Sequence, residues 1–157
     1  MRIDLRECEP DEGAYGLVVF VENKTKAVKI FFRSHEEKQA SNVYESEVEA
    51  YRLASINKEA SSLIPVFYGE VRVEEVIDID GCDVSDQYFL NMAYIMSFEA
   101  GPYFKINTIS STEQARLKML FEPLGIHYLV DSSVSLSKDG TAIKIIDFAT
   151  REFELWA

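Results

Sequence analysis

A chain of 157 residues with 47% hydrophobic and 12% aromatic content is long enough for one domain or two small lobes around a sizeable core, which excludes a disordered polymer. Its formal charge of −11, from 16 basic and 27 acidic residues, argues against nucleic acid or an anionic membrane as partner. A protein partner, a basic one best, suits that charge.

Cys8, Cys82, His35 and His127 show no metal-ligand spacing, so neither a disulfide framework nor a structural zinc site is expected. The first residues contain no apolar signal core, and no apolar run is long enough to span a bilayer. A soluble cytoplasmic protein is the expectation, with export lacking a cleavable signal left open. Nothing in the sequence sets the oligomeric state.

In chain order, Gly13 and Gly16 bracket a short turn before the β-branched run Leu17–Val21. A polar turn at Glu22–Lys26 leads to a second strand over Ala27–Phe32, predicting an antiparallel hairpin. A helix is predicted over Ala40–Ala54, where Tyr44, Val48 and Tyr51 recur at spacings of four and three. Glu47 falls on that apolar stripe, while Glu45, Glu49 and Arg52 fall on another side. A carboxylate on a buried face needs a cation or hydrogen bonds, and Lys29 on the preceding strand is a candidate partner. Further strands are expected from Ile64 through Val73 and over Tyr88–Met96, with turn chemistry at Asp80-Gly81. Phe98–Pro102 breaks regular structure and is a candidate hinge. Ser110-Ser111-Thr112-Glu113 has the capping-box pattern of a helix start. Leu117, Leu120, Phe121 and Leu124 line its apolar face, and Pro123 and Gly125 end it. A short strand around Val134 and Leu136, a turn at Lys138-Asp139-Gly140 and an apolar strand ending at Asp147 complete an α+β pattern.

Taken together, Glu12–Val18, Ala27-Val28-Lys29, Glu47 and Ile146-Asp147-Phe148-Ala149 resemble the signature set of protein kinases: glycine-rich loop, third-strand lysine, helix-C glutamate and Asp-Phe-Gly. The resemblance implies a two-lobed protein-kinase-like fold. Residues 1–98 would form an antiparallel N-lobe sheet plus helix C, and residues 99–157 a much reduced C-lobe. It implies ATP and Mg²⁺ as cofactors. Gly13 and Gly16 would shape the phosphate loop, Lys29 would hold phosphates with Glu47 orienting it, and Asp147 would carry the metal. Backbone groups from Ser97 to Glu99 would meet the adenine.

The chain departs from that family at several points. Asp11 stands at the first glycine and Ala149 at the last. Against the family's His-Arg-Asp-Leu-x-x-x-Asn, the stretch Ile126–Ser133 puts Tyr128 at the catalytic base and Ser133 at the second metal ligand. Asp131 is the only acid nearby and serves as base only if the loop is re-registered, which puts Leu136 at the metal position. Few residues follow Ala149, as in the minimal kinase-like effectors of bacterial pathogens. The resulting expectation is a pseudokinase that binds Mg–nucleotide and acts through protein contacts. Two alternatives stand beside it: an active phosphotransferase using Asp131 or a partner's acid, and an acidic binding or inhibitor protein that takes no nucleotide.

Overall fold

The computed structural model describes residues 1–151, and residues 152–157 of the expected second domain lie outside the described residues. In chain order the strands and helices are β1 (Arg2–Asp4), β2 (Glu9–Glu12), β3 (Gly16–Val21), β4 (Lys26–Phe32), α1 (Glu37–Ser55), α2 (Lys58–Ser61), β5 (Phe67–Val71), β6 (Glu75–Ile77), β7 (Tyr88–Ser97), β8 (Phe104–Lys105), α3 (Ser111–Phe121), β9 (Ser133–Leu136) and β10 (Ala142–Ile146). The fold is therefore α+β. Among the described residues no helix is long and apolar enough to cross a membrane.

Two compact units divide the chain. One comprises Met1–Glu45 and Tyr68–Phe98, the other Ser46–Phe67 and the residues from Glu99 on. In the first, a five-stranded sheet runs β2-β3-β4-β7-β5, and β1 pairs in parallel with β6. The expected hairpin is present, with Leu17 opposite Ile30 and Val19 opposite Val28. Alternate residues Leu17, Val19, Val28, Ile30, Ala93 and Ile95 enter one apolar cluster, as the period of two along a half-buried strand dictates. Each large side chain fully withdrawn from water contributes about 1.5–3 kcal/mol. Toward the other side, the Tyr44 ring meets Phe31 at 5.4 Å, and its hydroxyl donates to Glu70 at 2.7 Å.

Helix α1 starts three residues before the expected Ala40, with Glu37 placing its charge in the first turn, where the helix dipole favours an anion. The strand expected from Ile64 begins only at Phe67 and ends at Val71; Val73 is buried beyond it, its N–H donating to Leu90 O at 3.0 Å.

In the second unit, β10, β9 and β8 form an antiparallel sheet in that order. Helix α3 buries Leu117 and Phe121 and stops where Pro123 and then Gly125, at φ +94, turn the chain. Its start is half a capping box. Ser110 Oγ accepts the Glu113 N–H at 3.2 Å, but the Glu113 carboxylate accepts the N–H of Ala142 at 2.9 Å and the Arg116 Nε–H at 3.0 Å. A side chain read as a local cap thus ties α3 to β10.

Candidate functional site

The glycine pair closes the β2–β3 hairpin, the Gly13 N–H donating to Gly16 O at 2.9 Å. At Gly16 a Cβ would lie 2.5 Å from the Ile30 carbonyl, so the strands approach as they do only because no side chain stands there. The tip is fastened. The Phe32 N–H donates to Tyr15 O at 2.9 Å, His35 Nε2 donates to Ala14 O at 2.8 Å, and the Tyr15 and His35 rings lie 4.6 Å apart. An open pocket of about 720 Å³ beside this turn is lined by residues including Gly13, Arg33, His35 and Asp86. Of the expected site residues, only Gly13 borders it.

Lys29 lies in the first unit, on β4 between Val18 and Tyr94, with its ammonium 5.1 Å from the Phe31 ring centre. Ser97 ends β7 in the same unit, opposite Lys26. Glu47, Glu99, Asp131, Ser133 and Asp147 belong to the second unit. Glu47 is buried on the stripe with Val48 and Tyr51, while Glu45, Glu49 and Arg52 are exposed, as their spacing predicts.

Asp147 follows β10 and is exposed, with φ +63. Its neighbours are fixed on both sides. Before it, Ile146 pairs with Ser133 across the β9–β10 ladder, so the Ser133 hydroxyl and the Asp147 carboxylate are one residue out of register. After it, Phe148 is buried against Tyr51 at 4.5 Å and Phe121 at 5.6 Å. Ala149 and Tyr128 then exchange backbone hydrogen bonds, each 3.1 Å long. Further on, the buried Ser46 hydroxyl accepts the N–H of Thr150 at 3.1 Å and of Arg151 at 3.3 Å.

Two phenols flank this segment. Burial raises the Tyr51 phenol well above its ordinary pKa, and the Asp147 and Glu47 carboxylates push the same way. Tyr103 donates to Glu99 O at 2.9 Å; burial first, then the Glu99 and Asp147 carboxylates, raises its pKa to about 12. Both phenols stay protonated at neutral pH and add no negative charge beside Asp147.

In the loop before β9, the Tyr128 hydroxyl donates to the Asp131 carboxylate, and Lys105 Nζ donates to Asp131 O at 3.0 Å. The two residues that compete for the base position in the alternative registers are therefore hydrogen-bonded to each other. Among the described residues, no group of three or more His, Cys, Asp or Glu side chains is arranged to hold a metal ion. Sequence reasoning missed Ser46, Tyr51 and Tyr103 as site neighbours. Tyr51 alone carried a signal, standing one helical turn after Glu47 on the same stripe. No family model matches the chain, and no curated protein matches it.

Proposed function

We propose that the chain is a minimal two-lobed protein-kinase-like domain that binds Mg²⁺–nucleotide, has a degraded catalytic loop and acts through protein contacts. The backbone of Asp147 carries this reading. A non-glycine residue at positive φ costs about 1 kcal/mol even for aspartate and persists where its surroundings impose it, as at ligand sites. Here the strained residue bears an exposed carboxylate at the end of a paired strand, with its neighbour Phe148 packed in the core.

The donor set suits the ion. Mg²⁺ takes oxygen ligands and commonly needs one or two carboxylates plus substrate phosphates, not a protein cage. Asp147 supplies the carboxylate, and the Ser133 hydroxyl stands one residue out of register across the ladder. Bound there, the ion would neutralise phosphate charge. Lys29 is assigned to the phosphates, Glu47 to orienting it, Gly13 and Gly16 to the phosphate turn, and the backbone of Ser97 and Glu99 to the adenine. Calorimetric titration with Mg·ATP tests this. Saturable binding is expected, weakened about tenfold or more, or ~1.4 kcal/mol, in each of Lys29→Ala and Asp147→Ala. An unsubstituted chain that takes up no Mg·ATP, or two variants that bind as it does, removes the reading.

The Tyr128–Asp131 hydrogen bond favours a second reading, an active phosphotransferase with Asp131 as base. Under it, Asp131→Asn abolishes phosphate transfer to an acceptor protein while nucleotide binding is retained. Transfer that persists in this variant eliminates Asp131 as the base.

A further inference from the structure

Of the residues assigned to nucleotide, only Gly13 borders the pocket beside the β2–β3 turn, whose lining lies wholly in the first unit. Its wall joins two rings to two carboxylates. Half-buried Phe32 and buried Tyr88 stand with ring centres 5.7 Å apart, and exposed Glu12 and Asp86 line the same space. Neither carboxylate enters an ion pair among the described residues. Arg33, in the same wall, has its guanidinium 4.7 Å over the Phe89 ring, so the carboxylates outnumber it and the wall is negative. Tyr88 is only 6% exposed, yet its hydroxyl has no hydrogen-bond partner among the described residues. It is not sealed in the core either, which leaves its hydrogen bond to whatever enters the pocket. Burial first, then the Glu12 carboxylate, raises this phenol above its ordinary pKa, so it meets a ligand uncharged.

We propose that this pocket receives an arginine side chain from a basic protein segment, with Phe32 and Tyr88 against its guanidinium and Glu12 and Asp86 accepting its N–H groups. Arginine suits such a wall because its planar head stacks on aromatic faces while its donors reach carboxylates in the same plane. The Tyr88 oxygen accepts a further N–H. A pocket this open leaves a free small cation largely in water, whereas small-molecule sites enclose most of their ligand. A side chain carried on a protein is held from outside as well. The charge of −11 draws in a basic partner and repels a second copy of the chain. The walls are set in advance: the Arg33 N–H donates to Gln87 O at 2.8 Å, and His35 is fixed on Ala14 O. The inference stands whether or not the chain takes nucleotide.

The full chain, labelled with ¹⁵N, is titrated with a capped glycine–serine peptide holding one central arginine. A twin peptide carries citrulline, which keeps the planar head and loses the charge. Amide shifts give both the place and the affinity. Saturable shifts centred on Gly13, Phe32 and Tyr88 are expected, with the citrulline peptide about tenfold weaker or worse. Glu12→Gln combined with Asp86→Asn should weaken the arginine peptide about tenfold. Tyr88→Phe, which keeps the ring, should weaken it about fivefold. Glu45→Gln with Glu49→Gln removes the same charge from the exposed side of α1 and should change the affinity less than about twofold. Equal weakening by the two double variants overturns the site, because attraction to any acidic surface would then suffice. No saturable shift, shifts centred elsewhere, or a citrulline peptide that binds equally well overturn it too. Agmatine, a free guanidinium, binding as tightly as the peptide overturns the protein segment as occupant.

Discussion

Phe148→Ala is expected to lower the unfolding free energy by about 3–5 kcal/mol, the usual cost of emptying a buried phenylalanine site. The ring is 1% exposed and contacts two other aromatic rings, Tyr51 and Phe121, both also fully buried. Rigid rings refill a cavity poorly, so the upper part of the range is expected. The backbone on its C-terminal side is tied by the Tyr128–Ala149 bridge and the Ser46 hydroxyl, which keeps the chain from sliding inward to compensate. Urea denaturation followed by far-UV circular dichroism reads the loss directly. A loss below about 1 kcal/mol would show that the ring is not packed as described.

Glu113→Ala should cost about 2–3 kcal/mol, because it leaves the Ala142 N–H buried without its acceptor and removes the charged partner of Arg116. Arg116 is 40% exposed, so its ion pair is screened by water and contributes the smaller share. Glu113→Gln keeps a carbonyl for Ala142 and should recover much of the loss. Hydrogen bonds from Arg116 first, then the Ala142 N–H, hold the Glu113 pKa below the ordinary glutamate value against the opposing effect of burial. Folding therefore gains from the ionised form. That contribution is complete above the ordinary value and fades as the pH falls through the depressed one. Denaturation midpoints across that acid range should converge for the parent chain and Glu113→Gln. Curves that stay parallel would refute the assignment.

Elements with a clean hydrophobic period were legible in the sequence: the β3–β4 hairpin, α1 with Glu47 on its buried stripe, α3, and the terminal hairpin that delivers Asp147. What escaped had no period to read. Strand β1 is three residues long, and its parallel partner β6 lies more than seventy residues away. In the loop before β9 two registers were open to the sequence, because the pairing of Tyr128 with Ala149 is a long-range backbone contact. Tyr51 was legible as core, but a hydrophobic stripe does not name its ring partners, Phe67 and Phe148. Glu113 satisfied a local rule by position and obeyed a distant one through its carboxylate.

Strand β2, Glu-Pro-Asp-Glu, is exposed throughout, pairs through its backbone with β3, has its Glu9 carboxylate ion-paired with Lys24 at 2.7 Å, and forms one edge of the five-stranded sheet. Proline has no N–H to offer a further strand, and three carboxylates in four residues repel a second acidic copy laid alongside. Open sheet edges are where chains recruit one another into aggregates. The residues that hid this strand from a hydrophobic reading are the same ones that make this edge a poor template, so the sheet ends there by electrostatics and backbone chemistry.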